Sequence, residues 1–216
     1  MKTLVVGANG QIGKHLVTFI QDNDQLQAKA MIRKKEQATY FVERNAETAI
    51  VDLEEDIDSI AKAADGVDAV VFTAGSGPKT GKDKTIMVDL DGAVKTIEAA
   101  KKAGVKRFIM ISSFDTRREA IQEAPSSFAP YVAAKHYADE WLRATDLDYT
   151  IIHPGGLTNE EGTGKIEAGM DVARGDVSRE DVAKVIEACL EDKNTIGKEF
   201  QIVNGGKPIK EAVQEL

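Results

Sequence analysis

Tyr131 and Lys135 stand four residues apart, a spacing that places both side chains on one face of a helix. A free tyrosine has a pKa of about 10 and is a poor proton donor or acceptor at neutral pH. A neighbouring ammonium group lowers that pKa because it stabilises the phenolate. The hydroxyl of Ser113, which follows a buried strand, would hold a carbonyl oxygen to which Tyr131 gives a proton. The spacing alone is also typical of an ordinary amphipathic helix.

A glycine loop between the first strand and the first helix indicates which kind of molecule would bind beside these side chains. The segment GANGQIG spans Gly7–Gly13. Its glycines allow a sharp turn, a close approach of backbone to a pyrophosphate and tight helix packing, and the helix N-terminus attracts phosphate. The alternative is a simple tight turn. We predict a dinucleotide site that includes Gly7, Asn9, Gly10, Gln11, Ile12 and Gly13.

The residue at the end of the second strand bears on which dinucleotide binds. Arg33 stands twenty residues after Gly13, where an NAD site places an acid for the ribose 2′-hydroxyl. An arginine suits a 2′-phosphate instead, and Lys34 and Lys35 add positive charge. The sequence therefore favours NADP(H) over NAD(H), although the same residues also suit a solvated basic turn.

Two further strand ends contribute to the predicted cofactor site. Asp52 would accept from the adenine amino group while Leu53 covers the ring, or Asp52 simply begins a helix. Thr73, Ala74 and Gly75 end the fourth strand, where small residues let the cofactor ribose approach the backbone.

Short apolar runs alternate with segments of helical period, which indicates a parallel sheet covered on both faces. The predicted fold is α/β: a doubly wound parallel sheet, or Rossmann fold, in one domain over residues 1–216. Residues 155–180 would form loops on the substrate side. The predicted strands are Leu4–Val6, Ala28–Ile32, Thr48–Val51, Ala69–Thr73, Phe108–Ser112, Tyr149–His153 and Phe200–Val203. The predicted helices begin near Ile12 and cover Glu36–Arg44, Ile57–Ala64, Lys84–Ala103, Tyr131–Ala144 and Arg179–Leu190.

Composition excludes several classes of function. The chain has 216 residues and a net charge of −8, whereas nucleic-acid binding needs a positive surface. Cys189 is the only cysteine, which rules out an intrachain disulfide and a cysteine-based zinc site. No apolar run approaches the length of a membrane helix or a signal peptide. We expect a cytoplasmic protein with no metal, nucleic-acid or membrane partner.

Taken together, the motifs resemble those of the short-chain dehydrogenases/reductases, in the atypical bacterial branch related to NAD-dependent epimerases and dehydratases. The resemblance extends over essentially the whole chain. Its carriers, besides Arg33, are GANGQIG, VDLDGA at Val88–Ala93, KRFIMISS at Lys106–Ser113, the Tyr131/Lys135 pair, HPGGLT at His153–Thr158 and VSREDVA at Val177–Ala183.

The resemblance implies roles for the matched residues. Ser113 corresponds to the catalytic serine, and Ser112 is a weaker choice that also contacts the cofactor. Tyr131 corresponds to the acid–base group. Lys135 corresponds to its partner, which also binds the cofactor ribose. The segment passing the nicotinamide carboxamide is Pro154, Gly155 and Gly156.

Two positions depart from the family pattern. Asp89 stands nearest the asparagine that supports the backbone or relays protons in relatives. His153 stands where many relatives have arginine, and a structural role is expected for it.

The predicted substrate pocket lies between the segments 75–83, 114–130 and 159–176. Lys79, Lys82 and Lys84 in the first segment would attract an anionic acceptor, or are simply solvated. Phe114, Phe128 and Met170 would wall a flat ring.

Three functions remain open at this point. The first is an NADP(H)-dependent oxidoreductase that reduces a small carbonyl, quinone or flavin-like acceptor. The second is an NADP(H)-binding redox sensor with little turnover. The third is a compact sugar-nucleotide epimerase or dehydratase, which the sixty or so residues after Pro154 hardly accommodate. A small-molecule substrate is expected in the first and third cases, and the chain would be a monomer or a homodimer.

Overall fold

A nine-stranded sheet forms the centre of the computed structural model, which describes residues 1–77 and 80–216. The strand order is β11-β8-β10-β6-β5-β4-β1-β2-β3, and two further strands, β7 and β9, pair separately. The strands are β1 Lys2–Val6, β2 Gln27–Ile32, β3 Glu47–Ile50, β4 Ala69–Phe72, β5 Arg107–Ile111, β6 Asp148–Pro154, β7 Gly156–Thr158, β8 Lys165–Gly169, β9 Asp176–Ser178, β10 Lys198–Asn204 and β11 Lys207–Pro208.

Eight helices of at least five residues flank the sheet in the part of the chain described. They are α1 Gln11–Gln21, α2 Ala38–Val42, α3 Ile57–Ala63, α4 Asp91–Lys102, α5 Arg118–Glu123, α6 Ala129–Arg143, α7 Arg179–Glu191 and α8 Ile209–Gln214. A helical turn at Lys82–Lys84 and a π-helical segment at Thr85–Leu90 lead into α4. None of the described helices is both long and apolar enough to cross a bilayer.

Two hydrophobic layers cover the two faces of the sheet. Residues such as Leu16, Ile20 and Ile186 from α1 and α7 pack on one face. Residues such as Ile97 and Leu142 from α4 and α6 pack on the other. Because both faces are buried, the central strands are apolar at almost every position, as expected for a parallel sheet between helices.

Local sequence signals account for several helix ends. Ser178 caps α7, and its Oγ accepts a hydrogen bond from the Asp181 backbone at 3.0 Å. Gly104 follows α4 with a φ of 74°, the left-handed conformation that commonly stops a helix. A proline occupies the first turn of α6, where its missing N–H leaves no intrahelical bond unmade.

The predicted doubly wound parallel sheet is confirmed from β3 to β10. The segment 159–176, left unassigned from the sequence, contains β8, which pairs antiparallel with β10. The segment 114–130 contains α5, and α8 at the end of the chain was also missed. The single helix predicted over Lys84–Ala103 is instead a π-helical segment followed by α4.

Candidate active site

The glycine loop between β1 and α1 is shaped by contacts that a side chain would block. Gly7 has a φ of 84°, and a Cβ there would lie 2.6 Å from the backbone nitrogen of Ala74. At Gly13 a Cβ would lie 2.5 Å from the Gly7 oxygen. Gly10 is exposed, and its only near neighbour would be the Gly7 oxygen at 3.2 Å. The first and third glycines therefore serve the turn and the helix packing, while Gly10 keeps the space in front of α1 open.

The N-terminus of α1 faces this open space without a protein anion. No side chain caps the helix, and its first turn contains no acidic residue. The N–H groups of the first turn, from Gln11, Ile12 and Gly13, lack an intrahelical acceptor by geometry. Free N–H groups and the positive end of the helix dipole together favour a phosphate.

A cavity of about 430 Å³ adjoins the loop and brings together nine of the eighteen predicted cofactor residues. Residues from four strand ends line it, as expected at the carboxyl edge where the strand order reverses between β1 and β4. From the predicted set the lining includes Gly7, Asn9, Gly10, Arg33, Asp52, Leu53, Thr73, Ala74 and Gly75. Its dimensions and donors fit the adenosine and pyrophosphate half of a dinucleotide.

Gln37 fixes the backbone at the basic end of this cavity. Its Oε1 accepts from the backbone nitrogens of Arg33 and Lys34, both at 3.0 Å. Gln37 itself lines the cavity beside Arg33. Lys34 is exposed but is absent from the described lining. The geometry therefore favours Arg33 over Lys34 as the residue predicted to bind the ribose 2′-phosphate.

Asp89 supports the loop that follows β4. It is buried, and its Oδ2 accepts from the backbone nitrogen of Ser76 at 3.1 Å. A Cβ at Gly75 would lie 3.1 Å from its Oδ1. This contact supports the backbone of the loop, and the correspondence of Asp89 to the family's asparagine stays a prediction. Lys79, at the end of the same loop, lies outside the described residues, and Lys84 pairs with Glu54 at 2.6 Å.

Tyr131 and Lys135 lie on one side of α6, as their spacing predicts. Lys135 is buried, and its Nζ donates to the carbonyl oxygen of Ile111 at 3.0 Å. The same Nζ lies 6.0 Å from the centre of the Tyr131 ring. Phe128 packs against that ring with its centroid 5.1 Å away. The ammonium group is thus held near the phenol by a hydrogen bond to the strand β5.

The two serines that follow β5 have different surroundings. Ser112 is buried, and its Oγ donates to Asp139 Oδ2 at 2.6 Å. This bond occupies the Ser112 hydroxyl, and the Ser112 backbone nitrogen donates to Ile152 at 2.9 Å, so the structure does not favour Ser112 as the alternative catalytic serine or as a cofactor ligand. Ser113 is half-buried, and its Oγ has no hydrogen-bond partner among the described residues. Ser113 is therefore the better candidate for holding a substrate oxygen.

His153 has the structural role expected from its position at a strand end. Its Nδ1 lies 2.6 Å from the Ser113 carbonyl oxygen and its Nε2 lies 2.8 Å from Glu199. Both partners are acceptors, so both ring nitrogens donate and the ring is positively charged. Burial opposes that charge, yet the hydrogen bond to Glu199 raises the pKa of His153. Burial likewise opposes ionisation of Glu199, but bonds from His153 and Arg143 lower its pKa to about 2.

The segment after β6 is built from close backbone contacts. Pro154 ends β6, and the backbone nitrogen of Gly155 donates to Ile202 at 2.9 Å. A Cβ at Gly155 would collide with the backbone of Gly175, and one at Gly156 with the Asp176 side chain. These contacts explain both glycines by packing, and the predicted contact of this segment with nicotinamide stays a prediction.

A second cavity, of about 600 Å³, lies on the α6 side of the sheet next to His153. Two of the three residues predicted to wall the substrate, Phe114 and Met170, line it, while Phe128 is beside Tyr131 instead. The side chain of Gln201 joins two of the predicted substrate loops, because it donates to the Phe114 carbonyl at 2.9 Å and accepts from Val172 at 3.2 Å.

Sequence reasoning missed Asp139, Gln37 and Gln201. Asp139 follows Lys135 by four residues, so the spacing that singled out Tyr131 and Lys135 would also have indicated it. Gln37 contacts backbone nitrogens three and four residues before it, whereas Gln201 contacts backbone 29 and 87 residues away, for which the sequence carries no local signal.

Comparison with known proteins shows the family to which the chain belongs. The sequence model described as NAD(P)H-binding matches residues 7–193, from the glycine loop through α7. The chain belongs to this NAD(P)H-binding family. Its resemblance to the atypical short-chain dehydrogenases/reductases is thereby confirmed.

Individual members of the family are similar over their full length. The chain is 51% identical over 217 residues to the uncharacterized sugar epimerase YhfK of Bacillus subtilis, and the match covers 100% of both chains. A solved structure from Bacillus halodurans, described as an NAD-dependent epimerase/dehydratase, is 43% identical with a TM-score of 0.93 and full coverage of both chains. The oxidoreductase ylbE of Lactococcus lactis is 37% identical with a TM-score of 0.90, covering 100% of this chain and 96% of that one. The chain is accordingly an NAD(P)-binding protein of the oxidoreductase and epimerase-like class.

Proposed function

We propose that this NAD(P)H-binding protein is an NADPH-dependent reductase of a small carbonyl, quinone or flavin-like acceptor. The observation that carries the proposal is the common support of its three reactive groups. Lys135, beside Tyr131, is hydrogen-bonded to Ile111, two residues before Ser113 on the same strand end. A site built for proton transfer needs donor and acceptor groups held in fixed relative positions.

The preference for NADPH rests on the charge at the end of β2. We call the cavity of about 430 Å³ beside the glycine loop the adenosine cavity. Arg33 lines it at the point where NAD-specific proteins place an acid. Guanidinium groups bind phosphate strongly because both bear charge and the donors match the phosphate oxygens. The exposed Lys34 and Lys35 add positive potential.

The chain's own residues would act as follows on a carbonyl acceptor. Bound NADPH supplies the hydride that goes to the carbonyl carbon. Ser113 Oγ donates a hydrogen bond to the carbonyl oxygen, which polarises the double bond. Tyr131 gives its phenolic proton to that oxygen as the C=O π bond breaks, so that an alcohol forms, and Lys135 stabilises the resulting phenolate.

The name sugar epimerase, printed for YhfK, suggests a different reaction. Residues 155–216 of this chain build strands β7–β11 and helices α7 and α8 at the edge of the fold. Of these 62 residues, 39 lie in those strands and helices, and the remaining loop residues are few for enclosing a nucleotide sugar. This distribution favours a smaller acceptor.

The test is NADPH consumption against a panel of quinones, flavins, aldehydes and ketones, measured for the wild type and Tyr131→Phe. Tyr137→Phe is the matched control, because Tyr137 lies on the same helix but is exposed and contacts Arg118. We expect turnover to fall by about 10²-fold or more in Tyr131→Phe, the usual contribution of a general acid, and to persist in the control. Turnover unaffected by Tyr131→Phe would contradict the proton-donor role. Tight NADPH binding without any turnover would favour the redox sensor.

A further inference from the structure

Three consecutive residues at the end of β5 are each held by a different buried polar side chain. Lys135 binds the carbonyl of Ile111 at 3.0 Å, and Asp139 binds the hydroxyl of Ser112 at 2.6 Å. His153 binds the carbonyl of Ser113 at 2.6 Å. We call Lys135, Asp139 and His153 the strand-end clamp. At this strand end the Ser113 hydroxyl is the side-chain group that has no hydrogen-bond partner among the described residues.

Asp139 is the most enclosed member of the clamp. Its side chain is fully buried, and its Oδ2 accepts from Ser112 Oγ and from Thr116 Oγ1, the latter at 2.8 Å. Its Oδ1 is buried with no hydrogen-bond partner among the described residues. An ionised carboxylate with one unsatisfied buried oxygen is costly. In the neutral acid the proton lies on Oδ2, which then donates to one of the two hydroxyls and accepts from the other, and the unpartnered Oδ1 is the less costly carbonyl oxygen.

Charged groups face Asp139 from the neighbouring elements. Lys135 approaches from its own helix, α6, and His153 from β6. Arg143 on α6 and its partner Glu199 on β10 lie behind His153. Burial nevertheless raises the pKa of Asp139, outweighing the opposite effect of His153, of the two hydroxyl donors and of Lys135.

We propose that Asp139, as a neutral carboxylic acid, is a positioning residue that anchors Ser112 and so fixes the direction in which Ser113 presents its hydroxyl to the substrate. This inference rests on the proposed reductase function. Tyr131, Lys135 and Asp139 follow one another at four-residue spacing on α6, so one helix face both holds the phenol and orients the serine. Ionised Asp139 would attract Lys135 away from Ile111 and loosen the clamp at high pH.

Substitutions at Asp139 separate anchoring from charge. Asp139→Ala removes the hydrogen-bond partner of both hydroxyls, and we expect kcat to fall by about 10²-fold, the loss that misplacing a reactive group by an ångström brings. NADPH affinity should stay unchanged, because Asp139 does not line the adenosine cavity. Asp139→Asn keeps an acceptor oxygen and is always neutral, so it should restore kcat and abolish the loss of activity at high pH. Leu142→Ala, a buried apolar truncation on the same helix, is the control for lost stability and should retain kcat.

An infrared difference spectrum between the wild type and Asp139→Asn reads the carboxyl group directly and needs no turnover. We expect the C=O stretch of a protonated carboxylic acid at pH 7. Its absence would overturn the neutral anchor whatever the kinetics show. Unchanged kcat in Asp139→Ala, or an Asp139→Asn variant as slow as Asp139→Ala, would overturn the positioning role. The infrared band in a wild type that reduces no acceptor would contradict the reductase function and leave the neutral carboxyl group in place.

Discussion

Lys135 donates a hydrogen bond from its buried Nζ to the carbonyl oxygen of Ile111 at 3.0 Å, and this bond joins the helix of Tyr131 to the strand end of Ser113. The position of the ammonium group is therefore set by the sheet and not by the helix alone. The Lys135 side chain is buried, and its hydrogen bond to Ile111 offsets part of the desolvation cost of its charge.

Reversing the charge at Arg33 tests the cofactor preference. Arg33→Asp should weaken NADPH binding by about 10- to 150-fold, the loss of roughly 1.5–3 kcal/mol for hydrogen bonds to a charged group. NADH binding should change much less, because NADH lacks the 2′-phosphate. Lys193→Asp makes the same change in charge at an exposed residue outside the described cavity lining and serves as the control. Isothermal titration with both nucleotides measures the effect; an equal loss for both would refute the phosphate role.

A side chain at Gly10 should occupy the space predicted for the pyrophosphate. Gly10→Val is expected to abolish NADPH binding while changing the melting temperature little, because a Cβ at Gly10 has only the Gly7 oxygen at 3.2 Å as a near neighbour. Gly206→Val, at an exposed glycine with no atom near its added Cβ, is the matched control. Nucleotide binding by fluorescence and thermal unfolding together decide the matter: retained binding in Gly10→Val would place the cofactor elsewhere.

The sequence predicted the core of the fold because buried parallel strands and amphipathic helices produce distinct local patterns. The glycine loop and the Tyr131/Lys135 spacing are also local, and the structure places Tyr131 and Lys135 on one helix face. The antiparallel strand β8 was missed because its five residues, Lys165–Gly169, include only one that is buried.

The contacts that support the site residues from other elements were harder to predict for a different reason. Asp139 meets Ser112 across 27 positions in sequence, and Gln201 meets Phe114 across 87. Such contacts depend on how strands are ordered in the sheet, which no single sequence segment encodes. The π-helical segment that buries Asp89 likewise depends on packing against α6 and has no residue signature.

The charge on His153 should depend on Glu199. Glu199→Gln removes the carboxylate that holds the imidazolium, so the pKa of His153 should fall, since burial is then opposed by Asp139 and the Ser113 carbonyl alone. Titration of the imidazole by NMR measures this shift. Glu140→Gln removes another partner of Arg143 that does not contact His153 and should leave the pKa raised. A raised pKa that persists in Glu199→Gln would contradict the ion pair.

Folding stability should reveal the proton on Asp139. Because the folded pKa lies above the ordinary 3.8, the folded chain retains a proton that the unfolded chain has lost, and stability falls as pH rises from 3.8 to the folded pKa. The slope for one proton is about 1.4 kcal/mol per pH unit. Urea unfolding across this window should show the wild type losing stability relative to Asp139→Asn. Parallel curves would mean that Asp139 is ionised in the folded protein.

The central claim is that hydride passes from NADPH to an acceptor at the Ser113–Tyr131–Lys135 site. The most direct measurement uses NADPH with deuterium at the transferred position of C4, followed by mass spectrometry of the acceptor once the panel has identified one. For an aldehyde or ketone, the account predicts one deuterium on the former carbonyl carbon for each NADPH consumed, with the yield per unit time reduced strongly in Tyr131→Phe and unchanged in Tyr137→Phe. For a quinone or flavin, whose transferred deuterium exchanges with water, it predicts a primary isotope effect on NADPH consumption instead. Bound NADPH that stays reduced with every acceptor, or that is oxidised without labelling a carbonyl product and without an isotope effect, would contradict it.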